Sequence, residues 1–191
     1  MGFRNDKLKA MKKYRKAVEG GFVDKPILDM LEYINSLADY YTTSSCSGRT
    51  ILLHEYGKRK IDHDFLVKEH EKVNISDFLE AESEGLEGRI WLKQEPFIIH
   101  IASRTLTGAQ KMLGIGMFSG LKHSGIFVFK PERYILELNG THSMAVPIIE
   151  GGKPLVPKDY LIYLLELADE KMRQNKKFRD RFEKNLRVEL K

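Results

Sequence analysis

The spacing of two strand-like runs constrains the fold more than any other feature of this chain. The runs SGIFVF and YILELN are separated only by Lys130-Pro131-Glu132, and a connection this short joins antiparallel neighbours. The other strand-like runs, also in pairs between helical segments, are TILLHEY, FLVKEH, RIWLKQE, PFIIHIAS and MAVPII. This order favours an α+β or mixed-sheet layer fold, with helices covering the sheet, over a strict βαβ alternation.

Apolar residues at helical spacing predict the helices that cover this sheet. Asn5 is a suitable N-cap for the first helix, and Leu106 is among the residues expected to face inward from the fourth. The helices are predicted, in chain order, from Asn5 to Gly20, from Asp24 to about Asp39, over Asp77–Glu84 with Gly85 closing it, over Thr105–Met117, and from Lys158 to about Leu186. Ser119-Gly120 and Ser124-Gly125 faintly echo the hydroxyl-rich segment before Arg49, which leaves an internal duplication as an open alternative.

The basic charge of the chain is concentrated at its two ends. Residues 1–21 contain seven Lys and Arg against two acids, and residues 170–191 contain nine against four, although the net charge is only +5. If the two ends pack side by side, they form one positive surface that attracts a polyanion, and nucleic acid is the usual partner. The alternative is two solvated helix faces with no partner.

The composition indicates one cytoplasmic domain. The 191 residues are enough for a substantial core, and we predict a single domain over 1–191. One cysteine, Cys46, cannot form an internal disulfide, which fits a reducing compartment. No apolar run approaches the roughly 20 residues of a membrane-spanning helix, and the basic N-terminus lacks the apolar part of a secretory signal. We therefore expect no membrane partner.

The segment YTTSSCSGR, residues 41–49, is rich in small hydroxyl side chains. Serine and threonine hydroxyls both donate and accept hydrogen bonds, and the guanidinium of Arg49 is a fixed fork suited to a carboxylate or phosphate. The segment therefore favours a binding role for an amino-acid-like or phosphorylated group. The alternative is a polar β-bulge or loop.

Several familiar motifs are absent. Arg49 follows Cys46 by three positions, whereas a cysteine phosphatase loop needs five residues between the two. The six histidines show no paired ligand spacing, so we predict no metal site. The run GIGMFSG lies late in a helix rather than after a strand, so its glycines are expected to allow close packing or to end that helix. No Gly-rich turn follows a strand, which excludes a Rossmann-like methyltransferase signature.

Two further segments contain candidate proton acceptors. In the run EPFIIH, His100 points away from Phe97 and Ile99 if the run is a strand, and a core histidine bonded to backbone is the simpler alternative. Histidines also lie in Lys122-His123-Ser124-Gly125 and in Thr141-His142-Ser143, where an imidazole is suited to acid–base work.

The order of these motifs closely resembles one family. YYTTSSCSGR, KEH, EPFIIH, SGLKHSG, THSMAVP and DYLIYLLELADEKMRQNKKFRDRF follow one another as in the wybutosine-synthesising methyltransferases, the third enzymes of the eukaryotic wybutosine pathway, which have archaeal relatives of about this length. The resemblance covers about Asp24 to Phe182, and SSCSGR and EPF-x-x-H are its specific parts. It implies a three-layer α/β/α fold that is not Rossmann-like.

The resemblance also implies an activity. Family members use S-adenosylmethionine to methylate a ring nitrogen, N(4), of the tricyclic wyosine-type base 3′ of the anticodon in tRNA-Phe, so the implied partners are that donor and that tRNA. The base that accepts the proton is then His142 or His100. The residues implied for the cofactor are Ser44, Ser45, Ser47, Gly48, Arg49, Ser124 and Gly125. The residues implied for the substrate are Glu95, Phe97, Lys122, His123 and Thr141.

The sequence departs from the family pattern at two places. Asn139-Gly140 precedes Thr141 where members often have Arg-Ser, and this removes one positive charge from the expected pocket. Lys122-His123 stands where Arg-Asn is common. Two other functions stay open from the sequence: a non-catalytic tRNA-binding scaffold, and a small-molecule enzyme whose Ser/Arg wall binds an anionic metabolite. The oligomeric state also stays open.

Overall fold

The computed structural model describes residues 2–57, 59, 62–72, 74–82 and 86–190. These residues form two compact units, each assembled from separate parts of the chain. Unit 1 contains the described parts of 1–47, 97–141 and 176–191, and unit 2 contains those of 48–96 and 142–175. The expectation of a single domain stays a prediction.

Helices and strands alternate along the chain in short groups. The helices are α1 (Phe3–Glu19), α2 (Leu28–Ser36, after a 3₁₀ turn at Lys25–Ile27), α3 (Ile75–Glu82), α4 (Leu106–Phe118) and α5 (Lys158–Glu189). The strands are β1 (Tyr40–Cys46), β2 (Arg49–Glu55), β3 (His63–Glu69), β4 (Arg89–Glu95), β5 (Ile98–Ser103), β6 (Gly125–Lys130), β7 (Arg133–Asn139), β8 (Met144–Glu150) and β9 (Lys153–Pro154). None of the helices in the described ranges is both long and apolar enough to cross a membrane.

Unit 1 is built on a four-stranded sheet in the order β1-β5-β7-β6, and its neighbouring strands are antiparallel. Side chains alternate between the two faces of a strand, so Ile99 and Leu138 point to one face, where they pack against α2, α4 and the C-terminal part of α5. Ala102 and Ile135 point to the other face, where they pack against Phe3 of α1. Helices thus cover both faces, which is the three-layer α/β/α arrangement that the resemblance implies.

Unit 2 contains a second antiparallel sheet, in the order β3-β2-β4-β8-β9. One face buries Leu52, Leu92 and Ile148 against Phe78 of α3 and against Leu165 of α5. The part of α5 that belongs to unit 2 therefore contributes its apolar stripe to this core, with residues at 3.6-residue spacing. The α+β class is confirmed, with two antiparallel sheets in place of one mixed sheet.

The ends of several predicted helices were wrong. Asn5 lies inside α1, whose N-cap is Gly2, and α2 ends at Ser36 rather than near Asp39. Leu106 is 38% exposed at the start of α4 and does not face inward. The predicted end of the acidic helix, Glu84-Gly85, lies outside the described residues. The hairpin around Pro131 is confirmed by β6 and β7.

Within GIGMFSG, Gly116 allows close packing, one of the two roles predicted for these glycines, whereas a Cβ on Gly114 would meet nothing within 4 Å. A Cβ atom on Gly116 would lie 2.6 Å from Cδ2 of Leu138, closer than two carbon atoms can approach without a shift. The missing side chain therefore allows α4 to lie directly against β7.

The two basic ends of the chain do not form one surface. α1 covers the sheet face of Ala102 and Ile135, whereas the C-terminal part of α5 packs through Phe182 on the opposite face. Only α1 therefore lies on the same sheet face as His100, which shares that face with Ala102 by strand alternation.

Candidate active site

The hydroxyl-rich segment is a strand at the edge of the first sheet. Among the strands of the described ranges, β1 pairs with β5 alone, and its register shifts by a bulge between Thr42 and Ser44. Thr42 is buried, where its backbone N–H donates to Oδ1 of Asn35 at 2.8 Å and its Oγ1 accepts from Nδ2 of Asn35 at 3.0 Å. Thr43 and Ser44 are exposed and Ser45 is half-buried. The bulge thus separates one structural hydroxyl from three that face outward.

A groove of about 510 Å³ lies between α1 and β1, within unit 1. Its volume is in the range of small-ligand sites. The strand side supplies the hydroxyls of Thr43, Ser44 and Ser45, and the helix side supplies ammonium groups. The full lining is Asp6, Lys9, Ala10, Lys13, Tyr14, Ala17, Phe22, Val23, Tyr41, Thr42, Thr43, Ser44, Ser45 and Arg133.

Four residues form a row across the first sheet. Ser44 of β1 lies opposite His100 of β5, His100 lies opposite Glu137 of β7, and Glu137 lies opposite Gly125 of β6. Residues directly opposite on neighbouring strands have their side chains on the same face. Three sequence-predicted residues, Ser44, His100 and Gly125, are therefore brought together, with Glu137 between two of them.

His100 and Glu137 form a close histidine–carboxylate pair. His100 Nε2 lies 2.7 Å from Oε2 of Glu137, and the two side chains are 28% and 33% exposed. Because a carboxylate only accepts, Nε2 is the N–H donor, and the lone pair of the neutral imidazole is then on Nδ1. The ring of Phe127, which is 55% exposed, lies with its centroid 5.2 Å from that of His100. The pair is arranged as a base and its orienting group.

A short hydrogen-bond chain holds Glu137 from its other side. Asn139 Nδ2 donates to Oε1 of Glu137 at 3.3 Å, and the backbone N–H of Asn139 donates to Oγ of Ser124 at 2.9 Å. The Ser124 hydroxyl donates in turn to the carbonyl of Leu121 at 2.6 Å. Ser124 therefore supports the loop beneath the row, while a Cβ on Gly125 would meet open space.

The remaining predicted residues of unit 1 occupy varied positions. Phe97 is fully buried, with its ring centroid 6.3 Å from that of Phe182, so it contributes to the core. Ser47 is also buried, and its backbone N–H donates to Oδ2 of Asp24 at 2.7 Å. Lys122 and His123 are exposed, and Thr141 is half-buried.

In unit 2, Arg49 and Glu95 contact each other directly. They lie opposite one another on β2 and β4, with Arg49 Nε 2.7 Å from Oε2 of Glu95. The guanidinium also lies 4.8 Å above the ring of Phe65. A ligand carboxylate at Arg49 would therefore compete with Glu95. Gly48, just before Arg49, has φ of 94°, a conformation that favours glycine, and its carbonyl lies 3.1 Å from Nδ1 of His70.

His142 lies at the start of the second segment of unit 2. Burial lowers the pKa of its imidazole, the nearby Lys171 ammonium lowers it further, and Glu170 partly offsets both effects. A neutral imidazole at physiological pH is able to accept a proton. The roles predicted for His142, Arg49 and Glu95 stay predictions.

Several residues of this face of unit 1 were not predicted from the sequence. Glu137 follows Leu136 and precedes Leu138, both fully buried, so the alternation of YILELN signals an outward carboxylate. The position of Glu137 opposite His100 depends on the strand register, which cannot be read from the sequence. Lys9 and Lys13 were counted only as part of the charge of residues 1–21, and Arg133 was not singled out, because nothing in the sequence pairs α1 with β1.

These features define an α+β protein with a histidine–carboxylate pair beside a hydroxyl-lined groove. The chain belongs to the family described as Methyltransferase TYW3, whose sequence pattern matches residues 5–188. The family suggested by the motifs is thereby confirmed.

Individual relatives are similar over most of the chain. A Pyrococcus abyssi protein named tRNA(Phe) 7-((3-amino-3-carboxypropyl)-4-demethylwyosine(37)-N(4))-methyltransferase 2 is 36% identical over 171 residues, which are 88% of this chain and 82% of the relative. A mouse protein named tRNA wybutosine-synthesizing protein 3 homolog is 36% identical over 175 residues, 90% of this chain and 68% of the relative.

Solved structures show the same fold. A Pyrococcus horikoshii protein superposes with a TM-score of 0.89 at 32% identity, over 96% of this chain and 95% of that one. A protein from Aeropyrum pernix superposes with a TM-score of 0.74 at 26% identity, over 86% of this chain and 98% of that one.

Proposed function

We propose that this chain is a tRNA methyltransferase that transfers a methyl group from S-adenosylmethionine to N(4) of 7-(3-amino-3-carboxypropyl)-4-demethylwyosine in tRNA(Phe). The family match and the names of the relatives support the reaction class and this acceptor. The partner is then tRNA(Phe), and the place of action is the cytoplasm.

The structural observation that carries the proposal is the His100–Glu137 pair in the row that begins at Ser44. A ring nitrogen that gains a methyl group must lose its proton. His100 Nδ1 is the acceptor for that proton, since Nε2 is engaged by the carboxylate. Glu137 holds the ring orientation and stabilises the imidazolium that forms. This pair is closer than the His63–Glu55 pair of unit 2, whose atoms lie 3.7 Å apart against 2.7 Å here.

The side chains around the row fit the proposed methyl donor chemically. S-adenosylmethionine has a cationic sulfonium, an amino-acid end and an adenine ring, and when bound it supplies an electrophilic methyl group. Glu137 offers a carboxylate to a cation, the hydroxyl of Ser44 suits an amino-acid end, and the exposed ring of Phe127 suits a purine by stacking. The open space at Gly125 leaves room beside the carboxylate.

The chain contributes mainly by positioning. Methyl transfer needs the acceptor nitrogen in line with the methyl group. Holding two reactants in a fixed orientation corresponds to an effective concentration on the order of 10⁵ M, and this lowers the barrier by several kcal/mol. Strand side chains held by cross-strand hydrogen bonds are suited to this task because their orientation is set before the ligand arrives.

The test uses tRNA from cells that lack this protein, purified protein and S-adenosylmethionine with a labelled methyl group. Nuclease digestion and mass spectrometry should then place the label on the wyosine-type nucleoside next to the anticodon of tRNA(Phe). As a control, tRNA from cells that contain the protein should accept little label, because its acceptor nitrogen is already methylated.

Two outcomes would contradict the proposal. Binding of tRNA without transfer to any of a series of chemically defined wyosine precursors would make the chain a binding module rather than an enzyme. Absence of both tRNA binding and transfer would remove the RNA function altogether.

A further inference from the structure

The groove between α1 and β1 has an excess of positive charge. Its ionisable lining consists of Lys9, Lys13 and Arg133 against the single carboxylate of Asp6, apart from the phenols of Tyr14 and Tyr41. Lys9 and Lys13 are four residues apart on α1, so they project from the same side of the helix with a rise of about 6 Å between them. Both are exposed. The groove therefore presents two ammonium groups along its length.

The same groove has donors that lack an acceptor. Within the described residues, the hydroxyl of Tyr14 and Nε of Arg133 are buried and have no hydrogen-bond partner. Burial is the main reason that the pKa of Tyr14 is raised, and the nearby Glu32 and Asp29 raise it further, so its hydroxyl remains a donor at neutral pH. Unsatisfied donors of this kind are uncommon in folded proteins, and an acceptor-rich ligand relieves their cost.

The opposite wall adds neutral donors. Thr43 is exposed on the edge strand, and Ser45, also in the lining, is half-buried. Hydroxyls, ammonium groups and a guanidinium together are the groups that most often contact phosphate oxygens in complexes with nucleic acids. A ligand with an amino-acid end would also need a carboxylate partner for its ammonium group. Asp6 is the single carboxylate in the lining of this groove, against three cationic side chains.

We propose that this groove binds the phosphate backbone of the RNA substrate, with Lys9, Lys13 and Arg133 as the charged contacts. The inference rests on the proposed function, since it takes RNA as the substrate. Ser44 lies both in the groove wall and in the row with His100, so a strand held in the groove passes next to the proton acceptor. The basic C-terminal part of α5 packs on the other sheet face and does not belong to this contact.

The test compares two double variants with the same change in charge. Lys9→Ala/Lys13→Ala removes the groove ammonium groups, and Lys176→Ala/Lys177→Ala removes two exposed ammonium groups of α5 in unit 1. Binding of an anticodon stem–loop RNA to each full-length protein is measured across a series of salt concentrations. Binding of S-adenosylmethionine is measured by calorimetry on the same preparations.

The affinity for RNA falls as the salt concentration rises. Removal of two phosphate contacts should make the plot of log K against log salt less steep by about 1.4, the value for two single-strand contacts. We expect this for the groove variant, together with unchanged binding of S-adenosylmethionine. The α5 variant should retain the slope of the unaltered protein.

Three results would overturn the inference. One is an equal loss of slope in both variants, which would reflect overall charge rather than the groove. The second is an unchanged slope in the groove variant. The third is loss of S-adenosylmethionine binding with an unchanged RNA slope, which would assign the groove to the amino-acid end of the donor. If the unaltered protein binds RNA through the groove but transfers no methyl group, the proposed function fails and the inference stands.

Discussion

Each unit of this protein contains a histidine next to a carboxylate, and the two pairs differ in what the carboxylate binds. In unit 1, Glu137 lies 2.7 Å from His100. In unit 2, Glu55 lies 3.7 Å from His63, too far for a hydrogen bond, and its other oxygen accepts from the indole N–H of Trp91 at 2.7 Å. That indole hydrogen bond is the main reason that the pKa of Glu55 is lowered. Glu137 thus orients a histidine, whereas Glu55 is committed to an indole.

The two pairs also differ in whether the cations near them already have partners. In unit 2 the cations nearby have partners, since Arg89 pairs with Glu150 and lies 5.6 Å from the Trp91 ring, and Lys93 lies 5.3 Å from the same ring. In unit 1, the guanidinium of Arg133 interacts with the Tyr41 phenol, but its Nε has no hydrogen-bond partner among the described residues. The difference indicates that a cation contributes to a binding surface where the folded chain leaves one of its donors without an acceptor.

The largest expected effect separates the two histidines. His100→Gln removes the proton acceptor, and we expect the rate of methyl transfer to fall by about 10²- to 10⁴-fold. His63→Gln, its matched control in unit 2, should change the rate by less than about twofold, because Glu55 keeps its bond to Trp91. Single-turnover transfer measures both. An equal loss of transfer rate in the two variants would contradict the proposal that the two pairs have different roles.

A smaller loss is expected for Glu137→Gln, because the imidazole remains and only its orientation and the stabilisation of the imidazolium are weakened. The turnover rate should fall by about 10- to 100-fold while the KM for tRNA stays unchanged. Glu137→Asp should recover part of the loss, which a merely structural role would not predict. Steady-state kinetics with a thermal unfolding control decides between positioning and general damage to the fold.

The next prediction concerns Arg49 and Glu95 in unit 2. The two side chains are 25% and 40% exposed, so solvent screens their attraction, and a double-mutant cycle with Arg49→Gln and Glu95→Gln should give a coupling energy of about 0.5 kcal/mol in unfolding. We expect the affinity for S-adenosylmethionine to change little. A large loss of that affinity in Arg49→Gln alone would instead place Arg49 in the cofactor site, as the sequence predicted.

The smallest effect is a pH dependence of stability at His142. Because the pKa of this histidine is lowered in the folded state, the unfolded chain binds more protons at mildly acidic pH, and the free energy of unfolding falls as the pH drops below about 6.5. In His142→Gln this contribution is absent, so stability should fall less steeply over that range. Urea unfolding at a series of pH values measures the difference, and parallel curves would contradict the lowered pKa.

Much of the fold follows from local sequence patterns. Short connections predicted antiparallel pairing, the apolar stripe of α5 predicted a long buried helix, and Gly116 was expected to permit close packing. Asn5 was misread as the N-cap because its residue type alone favours that position, whereas Gly2 provides the extended backbone at which α1 starts.

The hydroxyl-rich segment shows where local patterns fail. Five hydroxyls in six positions carry no alternation of apolar and polar side chains, so the sequence left a polar β-bulge or loop open as an alternative to a binding segment and did not predict the full strand over 40–46. Its strand state comes from pairing with β5, and the bulge after Thr42 comes from the bonds to Asn35. Both are tertiary effects.

For the same reason, only part of the candidate site could be predicted from the sequence. His100 and the serines were found because their residue types suggest chemistry, but Glu137 and the lysines of α1 gain meaning only from register and from helix placement. Phe97 was selected from a family motif, and the structure places its side chain in the core.

The central claim is that the sheet face carrying His100 performs the reaction. A crystal structure of the full chain with S-adenosylhomocysteine and an anticodon stem–loop that contains the acceptor base tests it most directly. We expect the acceptor nitrogen to lie within hydrogen-bond reach, about 3 Å, of His100 Nδ1 or of one water bound to it. We expect the RNA backbone to lie along Lys9 and Lys13. An acceptor base bound at another histidine, with the face of His100 and Glu137 empty, would contradict it.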